Sequence, residues 1–229
     1  MVLVLNFFLS DAFAGSFDDM IRKHLAVTNK EPSFIRVTKE TTAQEVLESA
    51  QDATHLILSG SEASTLDELG WEDEMKQVVQ SFVDSGKPVL GICYGHQFLV
   101  RCLAGKEYLR KAPRPEMGWG NLLLNPNPLF EGMQQPICLL AHYDEAMNLP
   151  RDFRVLGQSE KCSIHAFQYQ NKPVWGVQFH PEYDLESGQE IFDDLEENDP
   201  LFEDHFVNEL DSTERLKQNT RLFINFINQ

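Results

Sequence analysis

In the first half of the chain, short continuous apolar runs alternate with amphipathic stretches, a pattern that predicts strand and helix in turn. Val2 to Phe8 reads as a strand. Ser16 to Val27 reads as largely helical, with Phe17, Met20, Ile21 and Leu25 at helical spacing. Phe34 to Val37 is a short strand, and Thr41 or Thr42 offers an N-cap to a helix carrying Val46, Leu47 and Ala50. His55 to Leu58 is a third apolar strand, ending at Ser59-Gly60. Trp71 to Ser85 places Met75, Val78, Val79 and Phe82 on one face, with Gly86 as its C-cap. A fourth strand leads into Cys93, and Tyr94 to Leu103 follows as a helix that stops near Gly105. The alternation predicts an α/β fold: an open, mostly parallel sheet with helices on both faces. In such sheets ligands sit beyond the carboxyl ends of the strands, where the Gly60 loop and Cys93 both fall.

The second half follows a different pattern. Gly120 to Leu124, Ile137 to Ala141, Phe153 to Gln158, Ser163 to Tyr169 and Val174 to Phe179 are strand-like runs divided by Pro, Gly and Asn, which predicts antiparallel additions to the sheet. Asp184 to Leu210 is acidic with scattered Phe and Leu, predicting a helix pair or a mobile insertion over about residues 184–212 whose charge is a solvated face or docks a basic partner. Arg215 to Ile227 reads as a closing helix with Leu216, Leu222, Phe223, Phe226 and Ile227 turned inward. With no repeat and no low-complexity linker, residues 1–229 are expected to form one domain.

Composition narrows the function classes. A net charge of -17 argues against nucleic acid as a partner, because phosphate binding needs clustered Lys and Arg. No apolar run is long enough to span a bilayer. The apolar start of the chain, followed by Ala12-Phe13-Ala14, has the outline of a signal peptide. It lacks a basic leader and is interrupted by Asn6 and Asp11, so a first strand and loop is the better reading. The four cysteines, Cys93, Cys102, Cys138 and Cys162, show no C-x-x-C spacing and no accompanying paired histidines. That speaks against a metal site or a disulfide framework, and no cofactor is expected; a reducing cytoplasm fits best.

The candidate chemistry centres on Gly91-Ile92-Cys93-Tyr94-Gly95. A G-x-C-x-G turn between strand and helix is a nucleophile elbow: its glycines allow close backbone approach, and the helix N-terminus favours a thiolate. A cysteine nucleophile needs a base, and the base needs an orienting acceptor. Val174 to Glu182 supplies both, because His180 and Glu182 are two residues apart in an extended segment and project to the same side.

Together these two motifs resemble those of the class I glutamine amidotransferases. Gly91-Ile92-Cys93-Tyr94-Gly95-His96-Gln97 is similar to the family's nucleophile motif, and Gln178-Phe179-His180-Pro181-Glu182 to its His/Glu motif, in the same order along the chain. The resemblance implies a three-layer, flavodoxin-like fold with Cys93 as nucleophile, His180 as general base and acid, and Glu182 orienting it. Tyr94 N–H with that of Gly60 or Ser61 would form the oxyanion hole, although Ser59-Gly60-Ser61-Glu62-Ala63-Ser64 has one glycine and no proline where the family has Gly-Gly-Pro. Gln97 and the segment Ala141-His142-Tyr143-Asp144 match positions that contact substrate, with Tyr143 in place of a glycine. The implied reaction is hydrolysis of a glutamine or γ-glutamyl amide through a thioester on Cys93. The chain ends soon after these motifs, so two enzymatic readings follow: a glutaminase handing ammonia to a separate synthetase, or a free-standing γ-glutamyl peptidase. A third reading is a silent, partner-binding relative of such enzymes.

Overall fold

In a computed structural model describing residues 1–229, eleven strands and eight α-helices form two sheets and their cover. The strands are β1 (Val2–Asn6), β2 (Pro32–Arg36), β3 (His55–Leu58), β4 (Val89–Ile92), β5 (Leu109–Asn121), β6 (Leu123–Leu124), β7 (Ile137–Ala146), β8 (Phe153–Gln158), β9 (Ala166–Tyr169), β10 (Val174–Val177) and β11 (Phe206–Asn208). The helices are α1 (Asp11–Leu25), α2 (Ala43–Ser49), α3 (Glu72–Asp84), α4 (Tyr94–Leu103), α5 (Leu185–Asn198), α6 (Phe202–His205), α7 (Thr213–Lys217) and α8 (Thr220–Ile227). The larger sheet has eight strands in the order β2-β1-β3-β4-β10-β9-β8-β6, parallel from β2 to β10 and antiparallel beyond. This is the expected α/β arrangement.

Two apolar layers lie on its two faces. Val4, Ile57, Leu90 and Trp175 pack with Phe17 and Ile21 of α1 and with Phe223 and Phe226 of α8. On the other face, Leu3, Leu56, Val89 and Val174 pack with Val46, Val78, Val79 and Phe98 from α2, α3 and α4. The period-two alternation of the strands is hidden in the sequence because both faces are covered. No helix is long and apolar enough to cross a membrane.

Element ends differ from the sequence reading in several places. Ser10 caps α1 by accepting from Phe13 N–H, so the Ala-Phe-Ala stretch lies in the first helix rather than in a loop. Thr42, not Thr41, is the N-cap of α2, in a capping box with Glu45. The expected strand over Gly120 to Leu124 is divided: Gly120 and Asn121 end the much longer β5, while Leu123 and Leu124 form β6, the antiparallel edge of the main sheet, which β5 and β7 do not join. With β11 they form a separate sheet in the order β11-β5-β7. The acidic segment is neither a simple helix pair nor all solvated: α5 and α6 are followed by β11, which pairs in parallel with β5, and Phe192 of α5 packs on Trp119 with centroids 5.7 Å apart. The closing helix is broken into α7 and α8 at Asn219, a buried residue whose Nδ2 donates to the Ile137 carbonyl at 3.0 Å.

The turn from β4 to α4 depends on its glycines. A Cβ at Gly91 would lie 2.3 Å from the Gly95 carbonyl oxygen, and one at Gly95 2.4 Å from that of Leu58. Both obstacles are backbone, so neither can rotate away. Gly95→Ala is therefore expected to cost about 3 kcal/mol, the upper part of the usual range for overpacking. For a chain of this size that lowers the melting temperature by roughly 6–12 °C, readable by differential scanning calorimetry. An unchanged melting temperature would show that the turn tolerates a wider strand-to-helix approach.

Candidate active site

Three neighbouring parallel strands, β3, β4 and β10, end side by side, and the candidate residues follow directly from those ends. β3 leads into Ser59-Gly60-Ser61, β4 into Cys93, and β10 through Gln178 and Phe179 to His180. Cys93 sits at φ 50°, ψ -102°, in the left-handed region that L-residues rarely adopt. Its N–H is held by the Val177 carbonyl at 2.8 Å. The strained turn aims the thiol toward β7 and β10, where Sγ lies 3.6 Å from the Ala141 carbonyl oxygen and 3.6 Å from Gln178 Nε2.

His180 is fixed by its backbone N–H to the Leu139 carbonyl (2.9 Å) and by Nδ1 against Glu182 Oε1 (2.7 Å). A carboxylate accepts only, so Nδ1 carries the proton and Nε2 is the nitrogen left for Cys93. Burial by itself would lower the histidine, but the Glu182 carboxylate and the adjacent Cys93 raise it to about 10. Both members of the pair are buried. Glu182 is in turn pinned through its backbone carbonyl, 2.9 Å from His24 Nε2 on α1. Tyr183 stands edge-on to the His180 ring.

The loop after β3 closes the other side. Ser59 Oγ accepts from Phe7 N–H (2.7 Å) and donates to the Gly60 carbonyl (2.6 Å). Across the trans peptide this turns the Ser61 N–H the opposite way. Neither Gly60 nor Ser61 donates its N–H to another protein group, and Tyr94, opening α4, has no intrahelical acceptor. A Cβ at Gly60 would meet His180 Cε1 at 3.0 Å, which explains why a glycine survives at this one loop position. Glu62 braces the loop by accepting from Leu9 and Ser10 N–H.

The remaining sequence candidates line a cavity of about 370 Å³ that opens at Cys93. Along β7, side chains alternate. Tyr143 reaches toward α5, where its hydroxyl donates to Asp199, while His142 and Asp144 point the other way. Asp144 is buried, accepts from Ser64 Oγ and pairs with Lys111 Nζ at 2.8 Å. The Gln97 amide is wholly engaged: Oε1 accepts from Thr65 Oγ1, and Nε2 donates to the Asp144 carbonyl and to Gln178 Oε1. It braces the cavity wall, with no polar atom free. His142 likewise spends its nitrogens on the Asp144 carbonyl and on Glu116.

Several contributors went unread in the sequence. Gln178 lies in a quoted motif, yet only the fold shows it touching Cys93 and Gln97. Glu116, Cys162 and His165 carry no local signal, because β5 and the β8–β9 connection bring them to His142 from distant positions. α5 supplies Asp194, Leu195 and Asn198 to the cavity, an inward role that its acidic composition concealed.

Comparison with known proteins bears on the family and the fold. The family model for glutamine amidotransferase class-I matches residues 9–196. The glutamine-hydrolyzing GMP synthase of Caldicellulosiruptor saccharolyticus is 35% identical over 155 residues, covering 66% of this chain but only 29% of that protein. A shorter relative, one subunit of the glutamine-hydrolyzing GMP synthase of Sulfurisphaera tokodaii, is 31% identical over 183 residues, covering 79% of this chain and 92% of that protein. Among solved structures, a glutamine amidotransferase from Thermotoga maritima superposes with a TM-score of 0.75 at 19% identity, over 100% of this chain and 98% of that one. At that identity the superposition speaks for the fold alone. With a family model matched over most of its length and a relative of similar size above 30% identity, the chain belongs to the class I glutamine amidotransferase family.

Proposed function

We propose that the chain is a glutaminase that hydrolyses the γ-amide of glutamine at Cys93 and passes ammonia to a separate synthetase. The observation that carries this reading is the convergence of Cys93, at the end of β4, with His180 and Glu182, beyond the end of the adjacent β10, with Cys93 held at positive φ. In this mechanism the Cys93 thiolate attacks the γ-carbonyl carbon, and the carbonyl oxygen takes up the charge opposite Tyr94 N–H and that of Ser61 or Gly60. The His180 imidazolium gives its proton to the amine, the C–N bond breaks, ammonia leaves, and a thioester remains. Neutral His180 then takes a proton from water, whose hydroxide displaces Cys93 and releases glutamate. Glu182 keeps the imidazole in the required tautomer. The strand from Ala141 to Asp144 walls the substrate, with Asp144 set to face its α-ammonium group, while Gln97 and His142 act by holding Asp144. The relatives named as glutamine-hydrolyzing GMP synthase, whole or as one subunit, support glutamine as substrate and a synthetase as partner.

A second reading, hydrolysis of γ-glutamyl compounds by the chain alone, is favoured by one feature of the cavity. It extends from Cys93 to α5 and is lined by Glu62, Asp144, Asp194 and Asp199 against one lysine, Lys111. That excess of carboxylates suits a leaving group larger than ammonia and positively charged. Glutamate release should be measured from glutamine, glutathione and γ-glutamyl amines with a cationic tail, with and without the purified synthetase component of a GMP synthase. Partner-stimulated turnover of glutamine supports the first reading. Partner-independent turnover confined to the cationic γ-glutamyl amines replaces it with the second. No turnover under any condition leaves the silent reading standing and removes both.

A further inference from the structure

Behind the cavity wall lies a cluster that the proposed hydrolysis does not use. Glu116 of β5 stands opposite His142 of β7 across the antiparallel ladder, and the β8–β9 connection brings Cys162 and His165 to the same place. One ligand atom from each of the four lies within 4.8 Å of all the others, and all four residues are buried. Glu116 Oε2 is 2.8 Å from His165 Nε2 and 3.2 Å from His142 Nε2. Its other oxygen accepts from Ser159 Oγ at 2.7 Å. The same hydroxyl accepts from Cys162 N–H at 2.9 Å, which ties the loop carrying the thiol to the carboxylate.

The proton positions leave one place for a cation. His142 Nδ1 is 3.1 Å from the Asp144 carbonyl, which can only accept, so Nδ1 carries the hydrogen. A neutral ring then presents the Nε2 lone pair to a carboxylate oxygen, and two acceptors face each other. Something positive, either a proton or a metal ion, must lie between them.

We propose that Glu116, His142, Cys162 and His165 bind a zinc-class divalent cation that fastens the β5–β7 wall to the β8–β9 connection. The donor set is one that zinc takes: two imidazoles, a thiolate and a carboxylate. Its charge closes in a buried site, where carboxylate and thiolate together cancel the two positive charges and both imidazoles are neutral. Binding releases the thiol proton and the proton held between His142 and Glu116 to solvent. Tetrahedral bonds of about 2.0–2.3 Å place ligand atoms roughly 3.2–3.8 Å apart. The Glu116–His142 separation of 3.2 Å already matches, the Glu116–His165 separation of 2.8 Å has to open by a few tenths of an ångström, and Cys162 closes in from within 4.8 Å. Ser159 on Glu116 and the Asp144 carbonyl on His142 Nδ1 are the outer partners that such ligands require. The linear spacing gave no hint of this, since the donors come from three separate segments.

The full chain, expressed in zinc-supplemented medium and freed of loosely bound metal, should carry about one zinc per molecule by elemental analysis. Cys162→Ser and His165→Ala should each lower that at least tenfold, while Cys93→Ala should retain it, which excludes capture by Cys93 and His180. Cobalt-substituted protein should show thiolate-to-cobalt charge transfer that disappears in Cys162→Ser. Should that variant fail to fold, refolding of the wild-type chain with zinc or with chelator decides instead, zinc raising its melting temperature. The proposal is overturned by a chain that folds metal-free with the same melting temperature in zinc and in chelator. It is equally overturned if zinc content is unchanged in both Cys162→Ser and His165→Ala.

Discussion

Cys93→Ala is expected to abolish glutamate release, with a loss of about 10⁴-fold or more, leaving only what the rest of the site contributes. The proposed chemistry forms a bond to Sγ, and no other side chain in the cavity can replace it. The remaining cysteines are unsuited: Cys102, Cys138 and Cys162 lie outside the cavity, and desolvation raises all three thiols above their ordinary range. Cys102→Ala, on the same helix as Cys93 and outside the cavity, should therefore retain activity and serve as the matched control. Because the proposed oxyanion donors, Tyr94 and the loop after β3, would set the absolute rate, the comparison is made with and without the purified synthetase component of a GMP synthase. A second readout does not depend on turnover: a glutamine analogue bearing an electrophilic diazoketone should label wild type once per chain, at Cys93, and leave the alanine variant unlabelled. Equal glutamate release by wild type and Cys93→Ala, or labelling at another cysteine, would sink the assignment of the nucleophile.

The parts of this site that were legible in the sequence are those whose physics is local. The elbow glycines must be glycine because of backbone atoms four residues away or on the adjacent strand, and that demand leaves a short motif. His180 and Glu182 are two residues apart on one extended segment, so their pairing is visible from spacing alone. What stayed hidden depends on long-range register. Pro113 and Pro115 disguise β5 as a turn, and the ladder with β7 does break between Lys111 and Glu116. Beyond that break Glu116 meets His142, a contact between residues 26 positions apart. The charge of α5 points to a solvated face. Its Phe192 and Leu195 in fact pack inward, and its acidic residues reach the cavity from the far side. The segment from Ala141 to Asp144 does lie on the cavity, as its position along the chain suggests. Only the strand alternation separates Tyr143, facing α5, from His142, whose ring is committed to Glu116 behind the wall, and from Asp144, whose carboxylate is held by Ser64 and Lys111.

Glu182→Gln tests the electrostatic half of the site with almost no change of volume. In the native protein the imidazole is buried, which opposes its charge, yet Glu182 at 2.7 Å and Cys93 raise it to about 10. In the proposed mechanism the charged imidazolium protonates the departing amine, so wild-type kcat/KM should hold through neutral pH and fall as pH rises through about 10. Replacing the carboxylate by an amide removes one of the two charges that favour imidazolium and leaves the desolvation intact. The basic limb should then move down by at least about one unit, because one unit corresponds to only 1.36 kcal/mol of lost attraction. The ring also loses its enforced tautomer, and kcat should drop about 10²–10⁴-fold. Stability follows the same sign: a histidine raised from 6.5 to about 10 stabilises the fold fully below 6.5, and that contribution is lost as pH rises through about 10. The difference in melting temperature between wild type and Glu182→Gln should therefore be larger at pH 6 than at pH 10.5. A basic limb at the same pH in both proteins would show that Glu182 positions the imidazole without setting its charge, and the ion-pair form of the mechanism would fall with it.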